Sequence, residues 1–301
     1  REEAMPIENF IITVFCLVDG EFKKSVGETR LRKRGFDPNL SDSEVITMEI
    51  VAEFLGIDTD KGAWKYFSNH WRIWFPKLGS RANFAKHAAN LWYSKQCIQK
   101  ELAKQLGAFS DDLHMADGFP MPVCHFKRAY FSCILEEVAS YGYCASKEEK
   151  YYGLKGNLLI SSVGVITDIT ITSAHIDERE SLWDLIKDIS GMLIADKGLI
   201  GNDFKEELKQ HTGVNLQTAV RSNMKEERNP GFIKWLISTR RLVETVIGQL
   251  VDQFNIEKVR ARKVFYLTNR IATKILSHTI CIFINKQIGN PPLQFELLVN
   301  G

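Results

Sequence analysis

Hydrophobic and polar positions alternate with different periods along this chain, and the change of period divides it. In the first third, apolar side chains recur at helical spacing. Ser41, Asp42, Ser43 and Glu44 form a capping box, in which Ser41 and Glu44 satisfy each other's free backbone donors. Val45, Ile46, Ile50, Val51, Phe54 and Leu55 follow, and Gly56 ends the predicted helix. Residues 58–60 open a second short helix carrying Trp64, Tyr66 and Phe67. Two short helices around a tight, glycine-containing connection suggest a helix-turn-helix corner, which ordinary helical bundles also contain. Trp71, Trp74 and Phe75 are expected in the core. A longer helix is expected over residues 81–106.

After Gly107 the period changes. Residues 113–117 predict a short buried strand. Residues 126–150 show no clear period. Residues 157–164 and 165–173 are rich in Ile, Val, Leu and Thr and predict two strands. Asp177 is placed to cap a helix with Leu182, Trp183, Leu185, Ile186 and Ile189 on its apolar side. Residues 191–195 predict a strand, 202–210 a helix, 214–219 a strand, and 231–287 a helical stretch of two helices, stopped by Pro291 and Pro292. A strand, then two strands, then alternating helix and strand implies an α/β fold, a mixed sheet with flanking helices. The order matches a ribonuclease-H-like domain. The expected division is a helical N-terminal region over 1–107, a catalytic domain over 108–290 and a tail over 291–301.

Composition changes this picture little. At 45% hydrophobic and 25% charged residues, the 301-residue chain is that of a folded domain or two. The net charge of +2 does not announce a polyanion binder, but its distribution is uneven. Lys23, Lys24, Arg30, Arg32, Lys33 and Arg34 crowd one stretch, and Lys258, Arg260, Arg262 and Lys263 another. Such clusters either neutralise phosphates or form a solvated face. The six cysteines include no CxxC pair, and free thiols in a reducing cytoplasm are expected. Cys124, His125, Cys133 and Cys144 fit no standard zinc spacing. No apolar run approaches a membrane span. Glu2 and Glu3 stand where a signal peptide would need basic residues, so none is expected, and Met5 is the expected start.

The candidate chemistry lies in carboxylates. Asp117 follows an apolar strand and precedes Gly118 and Pro120, which are expected to break it, so its side chain would emerge at a strand end. Asp196 again stands where an apolar strand stops. A single such aspartate is ordinarily a turn former or a cap. Glu244 lies on a helix whose apolar pairs at 242/243, 246/247 and 250/251 put it on a face with Arg240 and Gly248. Gly248 costs roughly 1 kcal/mol in a helix interior and would permit close approach of another backbone or of DNA. Alternatively, Arg240 and Glu244 are a surface ion pair worth roughly 0.3–0.5 kcal/mol. Two or three acidic residues at strand and helix ends are what a pair of hard divalent cations needs for phosphodiester chemistry.

With these motifs in order, the chain resembles the IS982 family of insertion-sequence transposases, within the IS4-like DDE group. The resemblance runs through Leu40–Thr47, Glu53–Asp60, Asp117–Pro122, Tyr152–Gly156, Ala195–Gly198, and Arg240 with Val243–Leu250. It implies that Asp117, Asp196 and Glu244 are catalytic and hold two Mg²⁺ ions, with Mn²⁺ as a substitute. It further implies that Arg240, Lys155 and Lys197 contact DNA, with Arg30, Arg32, Lys33 and Arg34 as further phosphate contacts. Partners would be double-stranded DNA, as terminal inverted repeats and target, and a second copy of the chain in the active complex. The setting would be the bacterial cytoplasm. The sequence departs from the group at Leu199, where an aromatic is common. It departs again at Ile237 and Val251, which occupy the tyrosine and lysine positions of the group's Tyr–Arg–Glu–Lys signature. Other readings are a ribonuclease-H-like nuclease that cuts without joining, and a transposase-derived DNA-binding regulator.

Overall fold

The computed structural model describes residues 4–26, 38–145, 147–199, 201–219, 226–258 and 260–299. The chain forms two compact units, one of residues 1–102 with 250–301, the other of residues 103–249.

The first unit is helical. Its N-terminal helices are α1 (Ile7–Val26), α2 (Asp42–Phe54), α3 (Asp60–His70), α4 (Arg81–Asn90) and α5 (Trp92–Gln105). The capping box forms as expected: the Glu44 amide donates to Ser41 Oγ at 3.2 Å, and the Ser41 amide donates to Glu44 Oε2 at 2.6 Å. Gly56 takes a left-handed φ of 73° after α2, and Thr59 caps α3. The long helix expected over 81–106 is two helices, broken at Leu91, whose backbone departs from helical angles at φ −95° and ψ 7°. Of the three expected core aromatics only Phe75 is buried; Trp71 is half-buried and Trp74 exposed.

The helical stretch expected over 231–287 is two helices, α8 (Pro230–Asp252) and α9 (Val264–Gln287). Helix α9 packs on α2 and α4, so it groups with the N-terminal helices and not with the sheet that precedes it in sequence. The reason is visible in α2. That helix is buried on every side, with Glu49 and Glu53 among its buried residues. Lys95 from α5 and Lys274 from α9 supply the counter-charges, with Asn269 and Thr273 of α9 completing the Glu49–Lys95 group.

His278 of α9 is fully buried against the rings of Phe254 and Phe295. Burial lowers its pKa from 6.5 to about 3. The unfolded chain therefore takes up a proton below pH 6.5 that the folded chain refuses. His278 contributes no penalty above that pH, and stability falls as pH drops toward 3, by up to about 1.4 kcal/mol per pH unit. Urea denaturation at pH 7 and pH 5 should show this loss in the native chain and less of it in His278→Phe; equal acid sensitivity of the two would rule it out.

The second unit holds a six-stranded mixed sheet: β1 (Leu113–Pro122), β2 (Ser140–Cys144), β3 (Glu149–Ser161), β4 (Ile166–Ser173), β5 (Met192–Ala195) and β6 (Asn215–Thr218). Strand β3 pairs antiparallel with β1, β2 and β4, whereas β1–β5 and β5–β6 are parallel. Helices α6 (Glu178–Leu185) and α7 (Asn202–Thr212) lie between the later strands in sequence. Their Leu182, Leu185, Phe204 and Leu208 pack with Ala116, Leu159, Leu193 and Ala195 of the sheet. This is the α/β fold class expected, a mixed sheet with flanking helices and a helical N-terminal region.

Two details differ. Strand β2 lies in the stretch without clear period, because its alternating half-buried and exposed residues include no apolar run. Strand β1 does not stop at Asp117 but pairs with β3 through Pro122. Its pairing with β5 ends at Met115, and beyond that point β1 is open on that edge, where proline is tolerated. Gly153 faces both β1 and β2, and a Cβ there would collide with the Met121 carbonyl.

Candidate active site

The last parallel pair between β1 and β5 is Met115 opposite Ile194. Two residues further along each strand path stand Asp117 and Asp196. Asp196 follows β5 directly, as the sequence suggested, while Asp117 lies within β1 opposite Leu158. The two aspartates thus flank the place where neighbouring parallel strands part, the usual position of a ligand crevice in α/β sheets.

Helix α8 brings a guanidinium to them. Arg240 Nη2 donates to Asp117 Oδ2 at 2.7 Å and lies 3.3 Å from Asp196 Oδ1. Its Nη1 lies 3.2 Å from Glu244 Oε1, one turn along the same helix. All three sequence-predicted carboxylates therefore meet one side chain. This is more than an exposed i, i+4 pair, since Asp117 and Arg240 are 18% and 24% exposed. The Arg240 Nε is buried without a partner among the described residues, a donor left over for an incoming oxygen.

Electrostatics at Asp117 are opposed. Burial raises its pKa to about 6, Arg240 and the Gly118 amide pull it down, and Asp196 and Glu178 push it up. Glu178, the first residue of α6, was not anticipated from the sequence. Asp177 beside it caps α6 through the Arg179 amide at 2.8 Å, as expected, and that capping pattern drew attention from its neighbour. Its one available signal was position: an acid at a helix start directly after a strand group.

The other candidates fall in different places. Lys155 of β3 donates to the Ile176 carbonyl at 3.0 Å and lies 3.8 Å from Glu178 Oε1, at the margin of the carboxylates. Lys197 follows Asp196 in a single 3-10 turn and is exposed. A Cβ at Gly248 would meet nothing within 4 Å, so among the described residues no backbone makes the close approach considered for it. Arg30, Arg32, Lys33 and Arg34 lie outside the described residues.

The family model for the transposase DDE domain matches residues 107–264, more than half of the chain. The chain belongs to that family. No match was found among curated proteins. The matched span of this transposase holds the whole sheet, Asp117, Asp196 and Glu244, and ends where α9 begins. Its substrate is DNA, and DDE transposases generally use divalent metals.

The donor set suits such an ion in kind: carboxylate oxygens, without thiol or imidazole. Its present spacing is set by Arg240. Among the described residues no three His, Cys, Asp or Glu side chains are gathered closely enough to hold a metal as they stand. In this form the guanidinium is the counter-charge. Removing it should therefore be felt most without metal. Arg240→Ala is expected to lower stability by about 1–3 kcal/mol in chelator, from the lost charged hydrogen bond and the carboxylates left facing one another. Millimolar Mg²⁺ should recover part of that loss, because a ligand bound only by the folded state stabilises it. Urea denaturation with EDTA and with Mg²⁺ measures both. A cost below about 0.5 kcal/mol in EDTA would mean that Arg240 is only a surface partner.

Among the described residues no helix is long and apolar enough to cross a membrane.

Proposed function

We propose that this chain is a transposase of the IS982 type, which binds the terminal inverted repeats of an insertion sequence, cuts at the element end and joins the freed 3′ end to target DNA. The observation that carries this reading is the convergence of Asp117, Asp196 and Glu244 on Arg240 where β1 and β5 part.

Asp117 and Asp196 hold the shared position in the site and Glu244 its helical side. Two Mg²⁺ ions bound there, or Mn²⁺ in their place, would supply an activated oxygen nucleophile and relief of charge on the leaving oxygen. Arg240 then turns from the carboxylates to a DNA phosphate, where its fork of donors is suited to bind. Lys155 and Lys197 lie beside the carboxylates and add phosphate contacts. Water is the first nucleophile and the DNA 3′-hydroxyl the second, so no protein side chain forms a covalent intermediate.

Helices α2 and α3, with their tight glycine turn, support a DNA-binding role for the N-terminal region. Arg30, Arg32, Lys33 and Arg34 are proposed from sequence as its phosphate contacts. Two copies would synapse two element ends. The test is incubation of the full chain with end-bearing DNA, target DNA and Mg²⁺, followed by mapping of products. Joined products are expected; cut ends without joined products would make the protein a nuclease, and neither product would overturn the reading.

A further inference from the structure

We infer that Glu178 is a fourth carboxylate of this site, ligating a divalent cation in a small cavity it shares with Asp117 and Asp196, while the Asn157 amide holds an oxygen of the bound water or phosphate. The inference rests on the divalent-cation reading proposed above.

The cavity is separate from the Arg240 contacts. It measures about 20 Å³ and its wall includes Asp117, Gly118, Asn157, Glu178 and Asp196. That is room for about one water-sized occupant. Neither Arg240 nor Glu244 lines it. Asp117 and Asp196 thus meet Arg240 as well as sharing this cavity with Glu178.

The backbone around the cavity brings the acids together. The position a Cβ on Gly118 would take lies 3.3 Å from Asn157 Oδ1 and 3.6 Å from Glu178 Oε1, so a side chain there would press on the Asn157 amide. The corresponding point on Gly198 lies 3.4 Å from Glu178 Oε2 and 3.6 Å from Asp196 Oδ2. Oxygens of Glu178 and Asp196 thus lie within 3.6 Å of one common point.

Asn157 supplies an independent observation. It is 5% exposed, it lines the same cavity, and among the described residues its Nδ2 has no hydrogen-bond partner. An unpaired buried amide nitrogen is costly and needs an acceptor oxygen. A cation held by the carboxylates at the rim of the cavity would bring that oxygen as one of its water or phosphate ligands.

Lys155 sets the charge. Its ammonium is 3.8 Å from Glu178 Oε1 and is tethered by the Ile176 carbonyl. Four carboxylates around two cationic side chains leave net negative charge that a divalent ion would offset. Glu178 is 40% exposed, so its carboxylate has freedom to swing inward.

The experiment is Mn²⁺ titration of the full chain by calorimetry, with the free ion counted by electron paramagnetic resonance. Native protein, Glu178→Gln, Asn157→Ala and Asp117→Asn are compared. Native protein should bind two Mn²⁺ ions. Glu178→Gln should lose one of them or bind it at least ten-fold more weakly, while keeping its melting temperature in chelator. Asn157→Ala should weaken the same ion by a smaller factor, and Asp117→Asn should impair both ions. Binding by Glu178→Gln within two-fold of native, with Asp117→Asn impaired, overturns the role of Glu178 and leaves the metal-dependent reading intact. Absence of Mn²⁺ binding by the native chain, with or without DNA ends, overturns both.

Discussion

Asp117→Asn, Asp196→Asn and Glu244→Gln are each expected to abolish DNA cleavage and strand transfer while DNA binding survives. Each substitution removes a negatively charged oxygen ligand and leaves the shape of the side chain. If the cations supply several kcal/mol of transition-state stabilisation, loss of about 4 kcal/mol corresponds to a rate at least about 10³-fold lower. The structure also refines what these changes do to stability. Asp196 and Glu244 are the more exposed partners of Arg240, at 37% and 53%, so their amides should alter stability by under about 1 kcal/mol. Asp117 carries two opposed contributions, the burial of its charge and its bond to Arg240. Its amide loses both, and a small net change of either sign is consistent. Cleavage assays on labelled element ends, with binding measured in Ca²⁺, separate chemistry from affinity. Cleavage by any of the three within ten-fold of native would remove that residue from the metal site. If Glu244→Gln alone stayed active, Glu178 would be the first residue to test in its place.

Much of this site was legible because its parts are marked by breaks in local pattern. Asp196 ends an apolar strand, and Glu244 shares a helical face with Arg240; both features survive in the fold. The class of fold was legible for the same reason, since helical spacing gives way after Gly107 to runs rich in Ile, Val, Leu and Thr and then to alternating helix and strand. What sequence could not place depends on neighbours distant along the chain. Gly118 and Pro120 looked like the end of β1, yet β3 supplies a partner through Pro122 and the opposite edge is open. Glu178 looked like one more acid in a first helical turn, and only the pairing of Gly118 with Asn157 shows what it faces. Helix α9 falls by sequence order within the expected catalytic region 108–290, although its polar residues are matched to the acids of α2.

That match yields the second large expected effect, in the helical unit. Lys274 Nζ lies 2.7 Å from Glu53 Oε2 and 2.5 Å from the Phe254 carbonyl, and both charged side chains are buried. Burial raises the pKa of Glu53 in spite of Lys274, which shows that desolvation outweighs the pairing for this acid. Lys274→Ala would leave Glu53 without its counter-charge and open a cavity, at a cost of about 3–5 kcal/mol. Since a domain is stable by only about 5–15 kcal/mol, that change alone should bring the chain near unfolding. Replacing both partners, Lys274→Met with Glu53→Leu, removes the charges together and keeps most of the volume. Its stability should return to within about 1–2 kcal/mol of native or exceed it, because two desolvated charges are no longer buried. Denaturation of the native chain, Lys274→Met, Glu53→Leu and the double variant gives the coupling directly. If Lys274→Ala cost under about 1 kcal/mol, the pair would be solvated in the native ensemble. If the double variant were as unstable as Lys274→Ala, the ion pair itself would be what α2 and α9 require.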